Sequence, residues 1–109
     1  MEWIKLNDIS QLDEINEVSF SKPVIIFKHS TRCNISATAL ARLERKNDDS
    51  FRADFYFLDL VQHRNISNRI AEIYGVIHQS PQILLIKNGE CIYEATHLEI
   101  DYMELATIL

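Results

Sequence analysis

Four consecutive β-branched or aromatic residues, Val24-Ile25-Ile26-Phe27, constrain this chain more than any other feature. A strand with no polar side chain on either face has to be buried on both, so it is central in its sheet and covered by a layer on each side. A second apolar run, Ile83–Ile86, leads through Lys87 into Asn88-Gly89. Asn-Gly favours the type I′ turn, so Gln82–Lys87 and Glu90–Ala95 are expected to form a β-hairpin. With 109 residues there is room for one such layered domain, spanning 1–109.

The remaining segments supply the layers. Glu2–Leu6 alternates loosely as a short strand, and Asn7 or Asp8 can cap the helix after it. Ile9, Leu12, Ile15, Val18 and Phe20 recur at spacings near three, which predicts that this helix is amphipathic. After Pro23 and the central strand comes a polar turn, His29-Ser30-Thr31-Arg32. The next helix places Ile35, Ala39, Leu40 and Leu43 on one face, with Arg42, Glu44, Arg45 and Lys46 toward water. Asp54–Leu60 reads as a strand. Asn65–Tyr74 reads as a helix with Ile66, Ile70 and Ile73 inward and Gly75 as its C-cap. Beyond the hairpin, Ile100, Met103, Leu105 and Leu109 suit a terminal helix capped near His97 or opened by Glu99. The order β-α-β-α-β-α-β-β-α predicts an α/β fold, a mixed central sheet with a parallel part and a C-terminal antiparallel hairpin, flanked by helices. This is the ordering of the thioredoxin fold.

A net charge of -5 and a pI near 5.3 argue against general nucleic-acid or anionic-membrane binding. The apolar runs fall far short of the ~18 residues of a membrane span, and the N-terminus carries no basic region followed by an apolar stretch. A soluble cytoplasmic protein, taken as a monomer, is the expectation. Two cysteines, Cys33 and Cys91, are too few for a disulfide scaffold, so Cys33 matters as a thiol.

Cys33 follows the central strand and opens a helix, where unpaired N–H groups and the macrodipole favour the thiolate, and Arg32 adds a positive charge. Cysteines so placed ionise in a range of roughly 3.5 to 7.5 rather than near 8.5. Its polar neighbours Thr31, Arg32 and Asn34 favour a reactive thiol over a packing one. Three residues on, where a dithiol enzyme carries its resolving cysteine, stands Ser36. A hydroxyl there can donate a hydrogen bond to the thiolate but cannot expel a partner from a mixed disulfide. Cys33 and Ser36 are therefore the candidate catalytic pair of a monothiol exchange. Pro81, after Ser80 and before a strand, could in an ordinary fold be trans and simply start that strand; if the thioredoxin ordering holds, it should be cis and face Cys33, leaving the Ser80 backbone to pair with an extended substrate. Cys91 reads as a packing thiol on the alternation of Tyr93 and Ala95, too far across the sheet to resolve Cys33. The spacings of Cys33, Cys91, His29, His63, His78 and His97 match no structural zinc pattern, so no metal is expected. Asn34-Ile35-Ser36 and Asn65-Ile66-Ser67 match glycosylation sequons, accidental in a cytoplasmic chain.

The run Phe27-Lys28-His29-Ser30-Thr31-Arg32-Cys33-Asn34-Ile35-Ser36, with Ser80-Pro81-Gln82, Ile86-Lys87-Asn88-Gly89 and Ala95-Thr96-His97, resembles the YtxJ-type monothiol bacilliredoxins of the bacillithiol system. The similarity spans nearly the entire chain. It implies that Cys33 attacks the bacillithiol sulfur of an S-bacillithiolated protein and becomes bacillithiolated itself. Bacillithiol is then a co-substrate, with no tightly bound cofactor, and bacillithiol or an external disulfide reductase regenerates Cys33. Positions matching the family's pocket suggest Thr31, Arg32, Ser80, Pro81 and His97 as thiol-ligand contacts. Family members commonly carry Pro where Asn34 stands; Asn34, a further thiol-binding candidate, offers an N–H that Pro lacks. A glutaredoxin-like enzyme using another small thiol is a neighbouring reading, although the Cys-Gly-Phe-Ser pattern of iron–sulfur-binding monothiol glutaredoxins is missing. A binding or adaptor module without turnover is the reading from another class, motivated by the missing resolving thiol.

Overall fold

The computed structural model describes residues 2–45 and 52–108. Lys46 and Leu109, assigned above to helices, lie outside the described residues. The chain runs β1 (Trp3–Lys5), α1 (Gln11–Val18), β2 (Val24–His29), α2 (Asn34–Arg45), β3 (Asp54–Asp59), α3 (Arg64–Tyr74), β4 (Gln82–Lys87), β5 (Glu90–Thr96), a 3-10 turn (His97–Glu99) and α4 (Tyr102–Ile108). The sheet has five strands in the order β1-β3-β2-β4-β5. β1 and β2 pair with β3 in parallel, and β4 pairs antiparallel with β2 and with β5. The strand with the uninterrupted apolar run is thus the middle one.

Alternation along β2 divides the core. Val24 and Ile26 pack with Leu12 and Ile15 of α1 and Ile66 and Ile70 of α3. Ile25 and Phe27 pack with Ala39 and Leu43 of α2 and Tyr102 and Leu105 of α4. Trp3, Phe55 and Phe57 close the second face, the indole ring lying 5.9 Å from Phe27 and 5.8 Å from Phe55.

Several sequence expectations shift by a residue or a face. Ile9 and Phe20 lie outside α1 and are exposed. Asp8 closes a turn instead of capping the helix directly, its carboxylate accepting from the Ser10 N–H at 2.9 Å and the Ser10 hydroxyl at 2.8 Å. On α2 the buried face is Ser36, Ala39 and Leu43, and Ile35 is exposed. On α3 Ser67 is buried while Ile73 is exposed, and on α4 Tyr102 takes the place expected for Met103. On these three helices, docking against the sheet selects a face that periodicity alone leaves free to rotate by one residue.

The hairpin turn has φ of 53° at Asn88 and 76° at Gly89, the two positive values that type I′ requires. A bulge lies just beyond it: Leu85 pairs with Tyr93 but Ile86 pairs with Cys91, so two steps on β5 oppose one on β4. Cys91 consequently packs on the α1/α3 face while Tyr93 packs on the α2/α4 face. This corrects the shared alternation read from the sequence.

Candidate active site

The residues singled out in the sequence converge on one end of the sheet. β2 ends at His29 and the chain passes through Ser30, Thr31 and Arg32 to Cys33, with α2 beginning at Asn34. Lys28 pairs with Gln82 and Gln82 with Thr96, which brings the Ser80-Pro81 segment and His97 to the same end. The Ser80–Pro81 bond is cis, as expected. The His97 N–H donates to the Pro81 carbonyl at 3.0 Å, joining those two candidates directly. His97 holds a φ of 54°, and the Arg42 guanidinium donates to the next carbonyl, that of Leu98, at 3.0 Å. Thr31, Arg32, Asn34 and His97 are exposed, and Cys33 is half-buried.

The Cys33 N–H donates to the Ser30 carbonyl at 3.2 Å, and its own carbonyl accepts the Ala37 N–H at 3.1 Å. Cys33 is therefore the last residue before the helix, at the positive end of the α2 dipole. Ser36, one turn later, is fully buried. Its hydroxyl oxygen accepts the Ser30 N–H at 3.0 Å and lies 2.7 Å from His29 Nδ1. The sequence reading aims this hydroxyl at the thiolate; in the structure its hydrogen bonds go to the strand end and the loop, because α2 turns Ser36 rather than Ile35 inward.

His29 is the residue that sequence reasoning misplaced. It is not part of a polar turn but the last residue of β2, 7% exposed. Its ring stacks on Phe27 at 5.9 Å and tilts against Phe57 at 5.3 Å. Burial pushes the imidazole below its usual 6.5, with the Asp59 carboxylate opposing, so the ring is neutral at pH 7. The available signal was the alternation Ile25, Phe27, His29, which continues the α2-facing side of the strand.

Lys28, on the opposite face, was missed as well. It is fully buried, and its ammonium donates to the Ser67 carbonyl at 3.1 Å and to His78 Nδ1 at 3.3 Å. Burial lowers its pKa from 10.5 to about 8, against a raising influence from Glu94. That gap corresponds to on the order of 3 kcal/mol opposing folding at pH 7. The unfolded chain keeps this proton to about 10.5 while the folded one releases it near 8, so the folded state gains relative stability as pH rises through that window. Lys28→Met is expected to stabilise the protein by about 1–3 kcal/mol at pH 7, the gain fading as pH approaches that of free lysine. Urea unfolding of both proteins across this range checks the sign; a destabilised variant at pH 7 contradicts it.

Cys91 does not join the site. β5 is separated from β2 by β4, which at about 4.8 Å per strand leaves a gap beyond the ~7 Å that a disulfide can span. Burial pushes its thiol up, so it stays protonated near neutral pH. Among the described residues no three His, Cys, Asp or Glu side chains gather as a metal site would need. A hollow of about 300 Å³ opens near the ends of β1 and β3, lined by Lys5, Leu6, Asn7, Phe57, Asp59, Gln62 and His63. It includes none of the site residues expected from the sequence. No helix among the described residues is long and apolar enough to cross a membrane.

Comparison with known proteins agrees with this geometry. The model of the monothiol bacilliredoxin BrxC family matches residues 4–105. A solved structure described as a candidate oxidoreductase with a thioredoxin fold is 35% identical, with a TM-score of 0.79 over 95% of this chain and 90% of that one. Thioredoxins from Malassezia sympodialis and Fasciola hepatica superpose with TM-scores of 0.74 at 17% and 12% identity, covering 98% and 95% of this chain and 87% and 93% of theirs. At that identity they speak to the fold alone. With a thioredoxin-fold sheet, and matched by the family model over almost its whole length, this chain belongs to the monothiol bacilliredoxin BrxC family, which supports a thiol oxidoreductase-like role.

Proposed function

We propose that this protein removes bacillithiol from S-bacillithiolated proteins, with Cys33 as the nucleophile. The observation that carries the reading is Cys33 at the start of α2 with Ser36 where a second thiol would stand, at the sheet end that also holds the cis Ser80–Pro81 bond and His97. The Cys33 thiolate attacks the bacillithiol sulfur of the mixed disulfide; that S–S bond breaks, the substrate protein leaves as its thiolate, and a Cys33–bacillithiol disulfide forms. A second bacillithiol thiolate then attacks the bacillithiol sulfur of this adduct. Cys33 leaves as thiolate and bacillithiol disulfide is released, so overall one equivalent of free bacillithiol exchanges with the mixed disulfide and the protein thiol is restored. An external disulfide reductase can take the place of that second thiol.

In this reading the Ser80 backbone, next to the cis bond, pairs with an extended substrate segment. In this reading the exposed side chains of Thr31, Arg32, Asn34 and His97 contact the thiol ligand, and the Arg32 guanidinium suits one that bears carboxylates. The reaction belongs in a reducing, cytoplasmic setting. Incubation with a bacillithiolated protein, followed by intact-mass and peptide analysis, should show a bacillithiol adduct on Cys33 and the freed substrate thiol. A parallel glutathionylated substrate should react more slowly. Absence of the Cys33 adduct, or equal rates with both substrates, contradicts the assignment to bacillithiol.

A further inference from the structure

We propose that Lys28 is a positioning residue for substrate binding, holding through His78 the loop that presents the Ser80 backbone. The proposal rests on the reading that this backbone pairs with the substrate segment, and it adds a residue that touches no substrate. Residues 75–81, between α3 and β4, lie in no helix or strand. Backbone hydrogen bonds fix the two ends of this loop: the Val76 N–H donates to the Ala71 carbonyl at 3.2 Å, and the Pro81 carbonyl accepts from the His97 N–H at 3.0 Å. Between those points apolar packing does little, since Ile77 is 80% exposed. Polar side chains hold this stretch instead. Gln82 Nε2 donates to the Ile77 carbonyl at 3.0 Å and to Glu94 Oε2 at 2.6 Å. One residue on, the Lys28 ammonium donates to His78 Nδ1 at 3.3 Å and to the Ser67 carbonyl at 3.1 Å, which ties the loop to α3.

Lys28 and Gln82 are cross-strand partners on β2 and β4, and both are fully buried, so the two tethers start from the interior of the sheet. An ammonium has only protons to give. His78 Nδ1 is therefore the acceptor, and the ring proton sits on Nε2. Burial, helped by the positive charges of Lys28 and Arg64, lowers the His78 pKa and keeps the ring neutral at pH 7. The Ser67 hydroxyl lies 3.0 Å from the same Nδ1, which has one lone pair, and the charged donor is the stronger of the two. Keeping an ammonium inside opposes folding, the pattern expected where stability is given up for function. A loop already fixed behind Ser80 loses less freedom when a substrate segment pairs with it, so the tie is felt in binding rather than in the chemistry at Cys33.

The test compares wild type with Lys28→Met in transfer from a bacillithiolated protein. KM should rise about fivefold while kcat stays within about twofold. Because Lys28→Met is expected to be the more stable protein, a weakened fold does not account for that rise. His78→Leu should raise KM as well, and the double variant should match His78→Leu alone. Relaxation of 15N nuclei reads the loop without substrate: backbone order parameters at Gln79 and Ser80 should fall from about 0.85 to below about 0.6 in Lys28→Met. On the wild-type protein, where no variant has to fold, ring 15N shifts at pH 7 should place the His78 proton on Nε2. An unchanged KM, additive effects of the two substitutions, unchanged order parameters, or a neutral ring with its proton on Nδ1 overturns the proposal. Wild-type protein inert toward the bacillithiolated substrate would instead contradict the assignment to bacillithiol, and the relaxation and ring measurements, which contain no bacillithiol, still decide the anchoring.

Discussion

Replacing Cys33 with serine should reduce transfer of the small thiol by about a thousandfold or more, to the background of the uncatalysed exchange. Oxygen in place of sulfur cannot form the mixed disulfide through which the reaction passes, and Ser36 supplies no substitute nucleophile because its hydroxyl is buried between His29 and the Ser30 N–H. Cys91→Ser should keep the wild-type rate, since that thiol lies at the edge strand and is held protonated by burial. Release of substrate thiol, measured alongside the intact mass of the enzyme, reads both variants. Appreciable turnover by Cys33→Ser, or its loss in Cys91→Ser, would transfer the chemistry to Cys91.

The largest expected effect on stability belongs to Phe27→Ala. The side chain is fully buried in the middle strand, with Trp3 at 5.9 Å and Phe57 at 6.2 Å. Truncation removes the buried ring and leaves a cavity that a strand paired on both sides cannot collapse to fill, a loss of about 3–5 kcal/mol. Small domains hold about 5–15 kcal/mol in all, so the urea midpoint should fall by roughly a fifth or more and Tm by about 12 °C or more. A loss below about 1 kcal/mol would mean that the α2/α4 side of the sheet is not packed as described.

Much of the architecture could be read locally. Val24–Phe27 announced the central strand, because four apolar side chains in a row leave no face for water. Asn88-Gly89 announced the hairpin turn through the positive φ that both positions adopt. Gly75 closes α3 with a φ of 65°, as expected of a C-cap glycine. The face of each helix was less legible: Ile35 and Met103 have the composition of core residues but point outward, and Ser36 and Tyr102 take the inward positions. Hydrophobic periodicity specifies a stripe about a hundred degrees wide, and the sheet it docks against chooses the centre of that stripe.

The buried polar groups were the least legible. In a one-dimensional reading Lys28 and His29 end a strand and begin a loop, and a polar residue there is ordinarily solvated. They are buried because their partners arrive from elsewhere in the chain: the Ser67 carbonyl of α3 and the His78 ring for Lys28, and the Ser36 hydroxyl of α2 for His29. Cys91 changed faces for a similar reason, since a one-residue bulge against β4 reverses the alternation that the β5 sequence implies. Local sequence by itself determined the order of elements, the turn, the thiol at a helix start and the serine where a second thiol would resolve it, all consequences of backbone preference and side-chain chemistry within a few residues. Tertiary structure alone decided which atoms receive the Ser36 hydroxyl and which polar side chains are drawn inside, because a buried polar group is tolerated only where a distant partner completes its hydrogen bonds.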